Sequence, residues 1–263
     1  ITAAAHAGGA KIFMQLMHTG RIGHPLNLPK GAEMIAPSAV AAAGQMWTDQ
    51  QQMQTHPTPR ALDTREVAGV INEYAQAAKN AVAGGFDGIE LHGANGYLIE
   101  QFLNPGTNKR TDAYGGSVEK RNRFAIETSA AVANAIGAGK TGIRLSPFNQ
   151  FNDMLGDYPE VAQQYESLAA ELGKLKLAYI HIVAYSRVGE PLLKAIKKAF
   201  GGTIIVNGGL DTAKAEAAFA AGYADLAAFG TSFLANPDLP ARLRKGLALN
   251  AMRPDLFYTA DAT

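Results

Sequence analysis

The chain has 263 residues, 24 Lys+Arg against 23 Asp+Glu, 47% apolar residues, 28 Gly, 12 Pro and no Cys. The length suits one large domain or two small ones, and a net charge of +1 leaves no basic field for a nucleic-acid backbone. Without Cys there are no disulfides, cysteine-ligated zinc, iron–sulfur clusters or thiol nucleophiles, and apolar runs of about six to eight residues are too short to cross a bilayer.

In chain order, the sequence opens at Ile1 inside a helical stretch, Thr2–Ala7, that closes at Gly8-Gly9. Apolar runs at Lys11–Met17, Gly88–Leu91, Gly142–Leu145, Tyr179–Val183, Thr203–Val206 and Ala224–Phe229 predict strands. They read as apolar nearly throughout, as in a parallel sheet buried on both faces. Residues 21–62 are rich in Pro, Gln and Gly without a sustained period, and are expected to be a long loop inserted at a strand's C-terminal end. Val67, Val70, Ile71, Tyr74 and Ala78 fall on one helical stripe, and Val161, Tyr165, Leu168, Ala169 and Leu172 on a second, with Asp157 and Glu160 resembling a capping box. Leu192, Ile196, Ala199 and Phe200 form a third stripe, followed by an Ala-rich helix at Ala213–Ala221. Past Tyr258 the chain stops without a further element, so both ends read as lacking flanking segments; a cytoplasmic location is the expectation.

Strands alternating with helices mean α/β architecture with right-handed crossovers. Length favours a (β/α)8 TIM barrel over an open doubly wound sheet, since about 250 residues is typical of that fold. Six strand–helix units are legible, not eight. The two counts agree if the first two units are absent and the 21–62 insertion has taken their length, with 1–263 forming one partial barrel domain.

Ligands of parallel α/β folds sit at the strands' carboxyl ends. Those positions hold Gln15 to His18, His92 to Tyr97, Arg144 to Pro147, Tyr185-Ser186-Arg187, Asn207-Gly208-Gly209 and Gly230-Thr231. If the turn after His92 tightens into a helix, His92 and Asn95 share a face and two donors converge on one carbonyl oxygen, with the Tyr97 phenol as proton donor. The same three residues equally suit a hydrogen-bonded loop His, a capping Asn and a packed Tyr. Arg144 either pairs with a carboxylate or faces an electron-rich ligand. Gln15 either satisfies the barrel interior or reads a heterocycle's edge. Gly208-Gly209 and the Gly230 turn let backbone N–H groups approach a phosphate. His6, His24, His56 and His181 show no metal spacing, and the Arg110 to Ser117 segment reads as a loop held by buried polar contacts.

His92-Gly-Ala-Asn-Gly-Tyr97-Leu, Gln101-Phe-Leu103 and Asn108-Lys-Arg-Thr-Asp-Ala-Tyr-Gly-Gly-Ser117 together resemble the signature of the Old Yellow Enzyme family. Gln15 to Arg21, Arg144 to Pro147 and Phe233 to Leu239 match in order as well. The resemblance implies an FMN-dependent ene-reductase on a (β/α)8 barrel, using NADPH or NADH in ping-pong turnover to reduce an α,β-unsaturated carbonyl or nitro compound. It implies that Gln15 and Arg144 meet the flavin's pyrimidine edge and that Gly208, Gly209, Gly230 and Thr231 lie at its phosphate. His92 and Asn95 would bind the substrate oxygen, Tyr97 would protonate Cα, and Met17 and Tyr258 would line the pocket.

Two departures stand out: Met17 replaces a frequent Trp, and Thr231 stands where an Arg commonly grips the phosphate. A small-molecule substrate is thus the expected partner, with neither nucleic acid nor membrane, and a homo-oligomer remains open. Two other readings compete: an incomplete barrel that holds no FMN, and a flavin-free barrel enzyme acting on a phosphorylated substrate.

Overall fold

The computed structural model describes residues 1–184 and 187–257. Its strands are β1 (Phe13–Leu16), β2 (Ile35–Ala36), β3 (Gln45–Thr48), β4 (Gln52–Thr55), β5 (Arg60–Ala61), β6 (Gly88–Gly93), β7 (Thr141–Leu145), β8 (Tyr179–Val183), β9 (Thr203–Asn207) and β10 (Leu226–Ala227). Its α-helices are α1 (Thr2–Ala7), α2 (Thr64–Ala83), α3 (Leu98–Leu103), α4 (Val118–Ile136), α5 (Val161–Lys174), α6 (Glu190–Phe200), α7 (Thr212–Ala220), α8 (Thr231–Ala235) and α9 (Leu239–Lys245). Six strands form one parallel sheet in the order β1-β6-β7-β8-β9-β10. Each strand of this sheet lies beside the sheet strand that follows it in the chain. That monotonic order belongs to a barrel wall; a doubly wound sheet would reverse direction at a topological switch point.

The strands are not uniformly apolar, which corrects the expectation. Ile89, Leu91, Ile143, Leu145, Ile180, Ile182, Ile204 and Val206 point toward the helices and build the core with Tyr74, Phe102, Phe124, Leu168, Leu172 and Ile196. The alternate positions carry Gln15, Glu90, His92, Arg144, Tyr179 and His181 on the face away from the helices. Period two sends successive side chains to opposite faces. The apolar half of the pattern builds the core, and the polar half builds the site.

Helix α2 starts at a capping box: Asp63 accepts the Arg65 N–H at 2.9 Å and Glu66 accepts the Asp63 N–H at 2.7 Å. The box expected at Asp157 and Glu160 does not form; Glu160 is the N-cap of α5 and makes no side-chain cap bond. Helix α4 escaped the periodicity reading because its buried stripe is half polar, with Arg121, Asn122, Thr128 and Ser129 among Phe124, Ala125 and Val132. Arg121 donates to the Leu103 carbonyl at 3.1 Å and to Gln164 Oε1 at 3.0 Å, so α4 is bonded into the core as well as packed. The Arg110 to Ser117 loop is held as expected: Asn108 Nδ2 donates to Phe102 and Tyr114 carbonyls, each at 2.7 Å, and Arg110 ion-pairs with Asp112 at 2.5 Å.

Residues 21–62 contain more structure than a loop. β3 and β4 form an antiparallel hairpin, and β2 pairs in parallel with β5. The two-residue strands and the Gln-rich hairpin lack the apolar alternation that would announce them. Arg21, 2% exposed, donates to the carbonyls of Val40 (3.5 Å), Ala41 (3.1 Å), Asn152 (3.1 Å) and Asp153 (2.6 Å), joining this segment to the β7–α5 connection.

Candidate active site

His92 is the fifth residue of β6, 3% exposed, and sits beside Arg144 of β7 in register. The chain then turns sharply. Asn95 adopts φ +56° and Gly96 φ +80°, both left-handed, and Tyr97 becomes the N-cap of α3. His92 and Asn95 therefore do not share a helix face, as the spacing suggested; a strand end and a left-handed turn hold them instead. Asn95 does not serve as a cap, because that position is Tyr97, whose side chain makes no cap bond.

Hydrogen bonds from the β7–α5 connection and from α3 fix the turn. The Asn95 N–H donates to Ser146 Oγ at 2.8 Å, and the Gly96 N–H to Glu100 Oε2 at 2.5 Å. The Asn95 carbonyl accepts from Asn152 Nδ2 at 2.8 Å, and the Gly96 carbonyl from Gln101 Nε2 at 2.8 Å. Gly96 admits no side chain: a Cβ would meet Asn152 Cβ at 2.7 Å and the Phe151 carbonyl at 2.9 Å.

The His92 and Tyr97 rings lie 5.1 Å apart, inclined at 51°. Burial, helped by the Arg144 cation, lowers the His92 pKa to about 4. The imidazole is neutral at physiological pH and offers one N–H donor, and its Nδ1 has no partner among the described residues.

Below His92 on the same face runs a polar chain. Gln15 Nε2 donates to Glu90 Oε1 at 2.6 Å, and Glu90 Oε2 meets His181 Nδ1 at 2.9 Å. Burial would raise the Glu90 pKa, but hydrogen bonds from His181, Gln15 and Tyr179 outweigh it and hold the carboxyl below its ordinary range. Gly142 makes room for this chain, since a Cβ there would strike the Tyr179 ring at 2.3 Å. Spacing alone singles out neither Glu90 nor His181, which shows no metal spacing. The missed signal was the polar half of each strand's alternation.

At the other end of the sheet, Gly208 (φ +123°) and Gly209 (φ +68°) follow β9, and Gly230 precedes Thr231 at the start of α8. β9 and β10 are paired, so these turns are adjacent, and open space surrounds the positions a Cβ would take at Gly209 and Gly230. Met17 stands exposed just past the end of β1. Tyr258, like Tyr185 and Ser186, lies outside the described residues.

The donor set fits a phosphorylated planar heterocycle. Four of the buried polar atoms without a partner among the described residues, His92 Nδ1, Arg144 Nε, His181 Nε2 and Asn207 Oδ1, belong to β6 through β9. Buried polar groups are normally satisfied, so their concentration on one set of strands marks a place for a polar ligand. Glycine turns with room beside them complete the cradle.

The chain is similar to proteins of known class. The chain is 40% identical to a putative 12-oxophytodienoate reductase 11 of Oryza sativa subsp. japonica, covering 99% of this chain and 72% of that protein. It is 39% identical to a probable flavin mononucleotide-dependent alkene reductase of Leishmania infantum, over 98% of this chain and 72% of the relative. Among solved structures, morphinone reductase superposes with a TM-score of 0.92 at 40% identity, covering all of this chain and 72% of that one. An old yellow enzyme homologue from Zymomonas mobilis gives 0.93 at 33%, covering all of this chain and 74% of its own. No helix among the described residues is long and apolar enough to cross a membrane. The pattern of the NADH:flavin oxidoreductase / NADH oxidase family matches residues 1–250, and the chain belongs to that family as an FMN-dependent, NAD(P)H-using oxidoreductase of (β/α)8 type.

Proposed function

We propose that this oxidoreductase reduces the activated C=C bond of α,β-unsaturated carbonyl or nitro compounds, with residues 1–263 acting as one FMN-binding unit in the cytoplasm. When bound, FMN supplies the redox chemistry, taking two electrons from NAD(P)H and passing them on as hydride to the substrate's Cβ. Gln15 and Arg144 would hold the pyrimidine edge of the flavin, and Arg144 supplies fixed positive charge where negative charge develops there. The backbone at Gly208, Gly209, Gly230 and Thr231 would receive the phosphate.

The protein's own chemistry centres on the β6–α3 turn. The neutral His92 imidazole and the Asn95 amide donate to the substrate oxygen and withdraw electron density, which makes Cβ electrophilic. Tyr97 presents a phenolic O–H and donates its proton to Cα as the hydride arrives. Met17 and Tyr258 line the substrate's side of the pocket, and a flexible Met there adapts to varied substrate shapes.

One observation supports this reading above the others: a buried imidazole kept neutral, its Nδ1 without a hydrogen-bond partner among the described residues, with a phenol ring 5.1 Å away across a turn tied down on both sides. Tyr97→Phe should slow enone reduction by about 10²-fold or more while FMN reduction by NADPH proceeds as before. Equal slowing of both half-reactions in stopped-flow traces would remove Tyr97 from the proton-donor role.

A further inference from the structure

Behind the β6–α3 turn lies a carboxylate with no part in the roles above. Glu100, on the first turn of α3, is 1% exposed and is fully enclosed. Its Oε2 accepts the Gly96 N–H at 2.5 Å and Asn149 Nδ2 at 3.0 Å. Its Oε1 accepts Ser146 Oγ at 2.9 Å and the Tyr165 hydroxyl at 3.4 Å. Ser146 Oγ in turn accepts the Asn95 N–H at 2.8 Å. Two consecutive amides of the left-handed turn therefore end on one carboxylate, Gly96 directly and Asn95 through a hydroxyl.

This arrangement is expensive. No Lys or Arg pairs with Glu100 among the described residues, and burial pushes its carboxyl up to about 7 against the pull of its donors. An apolar side chain would fill the same volume at less cost. It could not gather donors from the turn, the β7–α5 connection and α5 onto one point. A left-handed backbone is uncommon at a non-glycine residue, and these bonds hold Asn95 at φ +56°.

We propose that Glu100 is the positioning residue of the substrate-oxygen site: by anchoring the Asn95 and Gly96 amides, with Ser146 as relay, it keeps Asn95 and Tyr97 in place beside His92. The inference rests on the reading of His92 and Asn95 as the oxygen-binding pair.

The test uses the full chain with Glu100→Gln and Ser146→Ala, the second removing only the relay hydroxyl. In hydrogen exchange without any ligand, amides of residues 92–98 should exchange about tenfold faster in Glu100→Gln and about threefold faster in Ser146→Ala, with α2 and α5 unchanged. With FMN bound, affinity for p-hydroxybenzaldehyde, followed by the flavin absorbance, should fall by similar factors while FMN affinity holds. Unchanged exchange across 92–98 in both variants, or faster exchange only as part of a global loosening, would overturn the proposal. If Glu100→Gln fails to fold, Ser146→Ala decides alone. Asn95→Ala is the control: if it leaves aldehyde affinity intact, the oxygen-site reading fails and carries this proposal with it. If it weakens the aldehyde while the other two variants match the parent protein in exchange and affinity, only the Glu100 inference fails.

Discussion

The two ends of the sheet's ligand-facing rim are built by opposite means. At the β6–α3 turn, nearly every polar backbone atom has a protein partner, and Gly96 is hemmed in by Asn152 and Phe151. At the β9 and β10 ends, Gly209 and Gly230 have nothing within 4 Å of a would-be Cβ, and Thr231 offers a hydroxyl beside them. The first region is organised before any ligand arrives, as a polarising site requires, because reorganisation during the reaction would cost rate. The second leaves open space beside its glycines, and under the proposed function a bound phosphate would set its final geometry.

The largest effect that would sharpen the contrast is electrostatic. His92 keeps its pKa near 4 when folded and regains about 6.5 when unfolded. Between those values the unfolded chain binds a proton that the folded chain refuses, so stability is present above pH 6.5 and drains away as pH falls toward 4. The full shift corresponds to about 3 kcal/mol. Urea unfolding at pH 7 and at pH 4.5 should show a loss in the parent protein that is substantially smaller in His92→Asn. An identical loss in both would mean that the turn region does not hold its imidazole neutral.

Next comes a paired substitution. Gly96→Ala combines a left-handed φ with two contacts under 3.0 Å, and should cost about 2 to 3 kcal/mol in thermal or urea unfolding. Gly209→Ala meets only the φ penalty and should cost about 1 kcal/mol. Equal costs would dissolve the distinction between a crowded and an open end.

The smallest effect is Thr231→Arg. A guanidinium at that position adds one charge-assisted contact to the phosphate and should tighten FMN binding about five- to tenfold at low salt, with the gain shrinking as ionic strength rises. Fluorescence titration of FMN at two salt concentrations measures it. A salt-independent gain would indicate a contact other than the phosphate.

How much of this was legible beforehand follows from what each element is made of. Helices α2, α5 and α6 show their apolar stripes plainly, and β8 is bounded in the sequence as in the fold. Helix α4 was hidden because its inward face carries Arg121, Asn122 and Thr128, residues that a periodicity count treats as solvent-facing. The hairpin of β3 and β4 was hidden because its partners are mostly Gln, Met and Thr around a Trp. Local order placed His92, Asn95 and Tyr97 on one strand end, but their mutual arrangement depends on Ser146 and Asn152, which reach the turn from across β7. Glu100 reads in sequence as an ordinary helical acid. Only the fold shows that a serine 46 positions away donates to it.

Arg21 places a different demand on the chain. One guanidinium gathers carbonyls from residues 40, 41, 152 and 153. The hairpin segment and the connection that carries Asn152 are thereby riveted to a common point. Evolution can lengthen or recolour the hairpin tip at little cost, but a deletion that shifts either anchoring stretch would strand a buried cation. Divergence in this part of the family should concentrate between the rivets and spare the rivets themselves.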